Sequence, residues 1–98
     1  MTYKLIIRPE AELDLKEAHQ WYENQLEGLG SDFLQCIDAA FSTILDNPQL
    51  YPVIHQKIQR ALIRRFPYGI FYIVDDDTIV VIAVFHASRN PEKWQDRA

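Results

Sequence analysis

Ile58-Gln59-Arg60-Ala61-Leu62-Ile63-Arg64-Arg65-Phe66, Ile70-Phe71-Tyr72-Ile73-Val74 and Ile79-Val80-Val81-Ile82-Ala83-Val84-Phe85 are three runs rich in Ile, Val, Phe and Tyr. Such side chains suit a pleated, half-buried surface, so the runs predict three strands. Pro67-Tyr68-Gly69 separates the first pair and Asp75-Asp76-Asp77-Thr78 the second. Both connections are short enough for hairpins, which makes the sheet mostly antiparallel. The near-continuous apolar run from Ile79 to Phe85 predicts a strand covered on both faces.

Upstream the period is helical. Tyr3 to Ile7 reads as a strand that ends before Arg8-Pro9. Pro9 suits a first helical turn, and Glu10, Glu12 and Asp14 place negative charge near its positive end. Ala11, Leu15, Ala18, Tyr22 and Leu26 mark one apolar face. Gly28 and Gly30 are expected to end this helix. A second is expected from about Ser31 or Asp32, with Phe33, Ile37, Phe41, Ile44 and Leu45 inward and Asp46-Asn47-Pro48 as its stop. A short helix is expected around Pro91 to Trp94. The predicted fold class is therefore α+β, in the order β-α-α-β-β-β, with a helical hairpin packed on a mostly antiparallel four-stranded sheet. At 98 residues the expectation is one domain, residues 1–98.

Composition narrows the function classes. With 48% hydrophobic and 24% charged residues the chain is neither disordered nor of low complexity. No apolar run approaches the roughly 18 to 20 residues of a membrane span, and the opening apolar stretch is too short for a signal peptide, so the expected location is cytoplasmic, with no membrane partner. Cys36 is the one cysteine, which excludes an internal disulfide and predicts a buried structural thiol. The net charge of −4 is unevenly laid out. Residues 1–46 hold three basic and nine acidic side chains, residues 47–74 hold Lys57, Arg60, Arg64 and Arg65 with no acid, and residues 75–98 hold three basic and five acidic. An acidic chain is no general nucleic-acid binder, and no sequence-specific DNA binding is expected of it alone, but the cationic middle can meet an anionic partner.

Strict alternation along a strand would put Arg60 and Arg64 on one face and Arg65 on the other. A guanidinium fork binds carboxylate or phosphate bidentately, whereas the bland alternative is pairing with helix acids or solvation at a sheet edge. His86 ends the last long run and is followed by Arg89, Pro91 and Trp94. A histidine there is either a satisfied structural group or, beside a phosphate, an acid-base group. His19 and His55 are isolated. No ligand spacing for a metal, no phosphate-cradling glycine loop and no serine elbow is present, so no metal and no cofactor are expected.

Taken together, these elements resemble the RelE/ParE superfamily of small toxins from type II toxin-antitoxin systems, and the ParE-like branch more closely. The resemblance spans nearly the whole chain. It rests on the opening strand with Pro9-Glu10-Ala11-Glu12 and Asp14-Leu15, on Tyr22, on Asn47-Pro48 and Tyr51-Pro52, on Arg60 with Leu62 to Tyr72, and on the ending His86, Arg89, Pro91, Trp94. It implies a toxin that inhibits DNA gyrase by binding, is neutralised by a cognate antitoxin and can form a toxin-antitoxin hetero-oligomer. The partner-binding residues it implies are Arg60, Arg64, Arg65, His86, Arg89 and Trp94.

The RelE-type branch instead cleaves messenger RNA on the ribosome, for which Arg60, Arg64, His86 and Arg89 would be the catalytic candidates. Such nucleases commonly carry an arginine after the tyrosine matching Tyr68, and this chain has Gly69. Losing one donor aimed at developing negative charge costs roughly 10²- to 10³-fold in rate, so the reading favours binding over cleavage. A third alternative is a non-toxic interaction module that keeps the fold.

Overall fold

The structure, a computed structural model, describes residues 2–88 and 91–97. Strand β1 (Lys4–Ile7) leads into helix α1 (Pro9–Gln25) and helix α2 (Leu29–Asp46). A 3₁₀ turn (Pro48–Leu50) follows, then β2 (Val53–His55), β3 (Ile58–Leu62), β4 (Tyr68–Asp75), β5 (Thr78–His86) and the short helix α3 (Glu92–Gln95). The sheet order is β1-β5-β4-β3-β2. Strand β1 runs parallel to β5, and the remaining neighbours are antiparallel.

This is the α+β architecture expected, with five strands in place of four. Strand β2 has only three residues and too little alternation to be seen in sequence. The first long run also stops early: β3 ends at Leu62, and Ile63 to Pro67 form the turn, while Tyr68 and Gly69 already belong to β4. Phe66 explains the stop. Its ring lies 4.7 Å from Tyr22 and 5.3 Å from Phe33, both edge-on, so the run's last aromatic residue joins the helix core and no longer extends the sheet.

One face of the sheet packs on the helices. Ala11, Ala18 and Tyr22 of α1 and Phe33, Ile37, Phe41 and Ile44 of α2 meet Ile70, Tyr72, Ile79, Val81 and Val84. Leu26, expected on this face, is 65% exposed because α1 has ended at Gln25. At the edge of this core, the buried Gln59 donates to Pro48 O (2.6 Å) and Tyr51 O (2.9 Å), and the Tyr72 hydroxyl donates to Pro48 O (2.7 Å). Burial pushes the Tyr72 phenol far above its usual range, followed by a contribution from Tyr51, so it stays a donor. The opposite face buries Ile58, Phe71, Ile82, Ala83 and Phe85 beneath Trp94.

Strand β5 changes phase midway. Phe71 pairs with Ala83 but Tyr72 with Val81, so Ile82 is an extra residue. Before the bulge Ile79 and Val81 face the helices; beyond it Ile82 and Ala83 both join the far face, and Val84 returns to the helices. Past Val81 the strand has no strand partner on its β1 side among the described residues. There Asp14 Oδ2 accepts the Val84 N–H (3.0 Å), and Arg97 Nη1 donates to Asp14 Oδ2 (2.6 Å) and Ile82 O (3.2 Å).

The helices meet at Gly30, which lies inside α2 and does not end α1. A Cβ at Gly30 would come 2.7 Å from the His19 carbonyl oxygen. Glu23 accepts the N–H groups of Gly28 (2.9 Å) and Gly30 (3.0 Å), tying the last turns of α1 to the start of α2.

Two outcomes follow from this junction. Gly30→Ala would gain about 1 kcal/mol of helix propensity on an open helix. Here it meets backbone, so it is expected to lower stability by about 1–3 kcal/mol in chemical denaturation. The Gly28 amide, with help from Gly30 and His19 and against burial, holds the Glu23 carboxyl below its usual value. A depressed folded value stabilises above the unfolded pKa of about 4.3 and is lost as pH falls through the folded value. The gap in unfolding midpoint between wild type and Glu23→Gln therefore narrows as pH is lowered from about 6 to about 3.

Candidate functional site

The cationic middle of the chain divides by structure. Arg60 on β3 pairs in register with Phe71, and so projects from the face away from the helices. Its stem crosses Gly69: a Cβ there would lie 3.1 Å from Arg60 Cγ and 3.2 Å from Cδ. Gly69 thus gives the Arg60 side chain its bed. The half-buried Arg60 guanidinium has no hydrogen bond or ion pair among the described residues.

Because β3 ends at Leu62, Arg64 and Arg65 stand in a turn, where alternation does not assign their faces. The anchored Phe66 leaves both exposed. Arg65 adopts a left-handed φ of 71°, lies 3.5 Å from Asp32 Oδ2 and places its guanidinium 5.5 Å from the Phe66 ring centre. An exposed pair at that distance contributes little, about 0–1 kcal/mol. Arg64 has no polar partner among the described residues.

His86 sits at the end of β5 opposite Tyr68, with ring centres 5.5 Å apart. The β5 bulge sets this placement, since uninterrupted alternation from Ile79 and Val81 would have turned His86 to the far face. Its Nδ1 accepts the Ser88 N–H (3.1 Å) and lies 2.7 Å from Ser88 Oγ, which leaves Nε2 to carry the proton of the neutral ring. Beside it a cleft of about 180 Å³ is lined by Asp14, Glu17, Trp21 and Tyr68. Burial raises the Tyr22 phenol behind this cleft, with Tyr68 adding to the effect.

Trp21 and Glu17 were missed in sequence. The available signal was a tryptophan on the polar side of an amphipathic helix, and it is 56% exposed. Trp94 is the reverse case. Expected as a surface anchor, it is 6% exposed, stacked on Phe71 at 4.8 Å and 23°, with His55 6.0 Å away. Its apolar ring covers the far face of the sheet, so it is not available to a partner. Cys36, expected to be buried, is only half-buried. Arg89 lies outside the described residues. Arg60 and His86 therefore stand on opposite faces of the sheet, while Arg64 and Arg65 share its end with His86.

The model for the ParE toxin of the type II toxin-antitoxin system, parDE, matches residues 5–91. Among solved structures, the chain is similar to one in the chromosomal ParDE toxin-antitoxin system from P. aeruginosa. The TM-score is 0.77 at 13% identity, covering 87% of this chain and 96% of that one. It is also similar to a chain of the toxin-antitoxin complex RelBE2 from Mycobacterium tuberculosis, with a TM-score of 0.60 at 21% identity, covering 88% and 99%. No curated protein matches.

Among the described residues, the arginines thus fall into those bonded within the fold and those with no polar partner. Arg97 belongs to the first group: its side chain is 23% exposed and that of its partner Asp14 only 8%. Arg97→Ala would leave Asp14 almost buried without its cation, and is expected to destabilise by about 3 kcal/mol in urea unfolding. Arg64→Ala removes no polar contact and is expected to stay within about 0.5 kcal/mol of wild type.

Proposed function

Because the chain belongs to the ParE toxin family of type II toxin-antitoxin systems, we propose that it inhibits DNA gyrase by binding and that a cognate antitoxin neutralises it. The observation that carries the choice of binding over cleavage is the separation of Arg60 from His86 by the thickness of the sheet. Cleavage of a phosphodiester requires acid-base and anion-stabilising groups that converge on one phosphate. Here the half-buried guanidinium and the imidazole open onto different surfaces. Gly69, filled by the Arg60 stem, adds no donor between them. A protein that inhibits by binding needs a specific surface with a few anchoring side chains. Arg64 and His86, at the same end of the sheet, supply such anchors for one surface and Arg60 for the opposite face, while Arg65 has only a weak tie to Asp32.

The antitoxin reading has an electrostatic motive. Helices α1 and α2 expose acids such as Glu10, Glu12, Glu17 and Asp38, whereas Lys57 and Arg64 are exposed on the β2 to β4 segment. A mixed-charge partner can complement both regions.

Expression of the chain alone, followed by incorporation of labelled thymidine and leucine, tests the function. DNA synthesis is expected to fall first, with loss of supercoiling by purified gyrase, and Arg60→Ala with Arg64→Ala is expected to weaken both effects. Transcripts cut on translating ribosomes with supercoiling intact would replace this reading by the nuclease one. Normal growth with abundant folded protein would leave the non-toxic interaction module.

A further inference from the structure

Leu13, Glu17 and Trp21 recur at i, i+4 and i+8 along α1, so they form one line about 12 Å long on the side turned away from the buried Ala11, Ala18 and Tyr22. Both apolar members stay open, Leu13 at 59% and Trp21 at 56% exposure. Each borders a depression. The cleft of about 180 Å³ beside His86 lies at Trp21, a second of about 340 Å³ lies at Leu13, and Glu17 lines both. Large apolar side chains held open beside shaped depressions mark a surface that a partner covers.

Charge in the first cleft has one sign. No lysine or arginine among the described residues lines it. Asp14 at its floor already bonds Arg97 through both carboxylate oxygens and the Val84 amide through one. Glu17 is different: it is exposed and has no hydrogen bond or ion pair among the described residues, although Lys93 lines the adjoining depression. The Trp21 ring stands at 86° to that of the buried Tyr22, with centres 5.1 Å apart, so the core sets its position before any ligand arrives. Tyr68 is a second aromatic lining residue.

We propose that this cleft takes the guanidinium of an arginine on a protein partner, stacked on the Trp21 indole and paired with the Glu17 carboxylate. An aromatic face attracts a cation through its quadrupole, and a carboxylate accepts two parallel N–H bonds from the guanidinium fork. Stacking and fork both need a planar cation, which selects arginine over lysine. Leu13 and its depression take an aliphatic residue of the same segment. From Leu13 to midway between Glu17 and Trp21 is about 9 Å along the helix, a distance an extended chain covers in about three residues, so the segment reads Leu-x-x-Arg.

The test uses the full, isotope-labelled chain titrated with acetyl-Leu-Ala-Ala-Arg-Ala-amide. The indole N–H signals of Trp21 and Trp94, told apart with Trp21→Phe, are followed by NMR. The Trp21 signal is expected to shift saturably, while that of the buried Trp94 stays fixed and reports an intact fold. A peptide with citrulline for arginine keeps the shape without the charge, and is expected to bind about tenfold more weakly. Glu17→Gln is expected to weaken the arginine peptide by a similar factor. A lysine peptide should fall between the arginine and citrulline ones, and alanine for the peptide's leucine should also weaken binding. Arg64→Ala, which removes a like charge from the neighbouring turn, should not.

A Trp21 signal that does not move, a citrulline peptide that binds as tightly as the arginine one, or Glu17→Gln binding undiminished overturns the assignment. A lysine peptide equal to the arginine one overturns the choice of guanidinium, and indifference to the peptide's leucine overturns the share given to Leu13. Each outcome is read on the purified chain and leaves the gyrase reading to its own test.

Discussion

The carboxylate of Asp14 joins three separate parts of the chain. Strand β1 has four residues and β5 has nine, so β5 outruns its parallel neighbour and leaves edge groups that must be bonded. Asp14, from the second turn of α1, accepts the Val84 amide, and Arg97 bonds Asp14 and the Ile82 carbonyl. Arg8 then donates to Arg97 O at 2.6 Å, which closes the tie to the start of α1. With a bulge in this place, the edge is finished by side chains where a longer strand would have finished it by backbone. The same contacts draw the C-terminal segment across the far face: Arg97 lies 4.5 Å from the Phe85 ring centre and Trp94 stacks on Phe71. A sheet that would otherwise be covered by helices on one side only is thereby buried on both.

How far the sequence could be read follows from which signals carry a phase. The helices were legible because Ala11, Ala18 and Tyr22, and Phe33, Ile37, Phe41 and Ile44, repeat at helical spacing and are all buried. The β4 to β5 turn was legible because aspartates tolerate the left-handed conformation that Asp76 adopts, with φ of 54°. Ile79 to Phe85 announced a strand covered on both faces, yet a uniformly apolar run has no alternation, so the bulge at Ile82 could not be seen. His86 inherits that ambiguity, since its face depends on the bulge. The early end of β3 was hidden for a related reason: Phe66 looks like strand until its contacts with Tyr22 and Phe33 are known. Trp94 was misplaced because an aromatic residue after proline carries no mark of the ring it stacks upon.

The separation of charge along the chain survives folding. Among the described residues, the only ion pair joining the acidic helices to the cationic middle is Arg65 with Asp32, at 3.5 Å and largely exposed. Had the fold turned its arginines back onto the helix acids, the cationic region would be neutralised locally and only the net charge of −4 would be felt at a distance. Instead Arg60 and Arg64 have no ion pair among the described residues, while Glu10, Glu12 and Glu17 are exposed on α1. Exposed charges such as Arg64, Glu10, Glu12 and Glu17 cost little in self-energy, and their field decays over about 8 Å at physiological salt. A field of that range orients an approaching macromolecule before contact, which benefits association more than it benefits a reaction at one bond. Rigidity serves the same end. The Arg60 stem is bedded on Gly69 and the turn bearing Arg64 is pinned by Phe66, so less side-chain and loop entropy remains to be lost when a partner arrives.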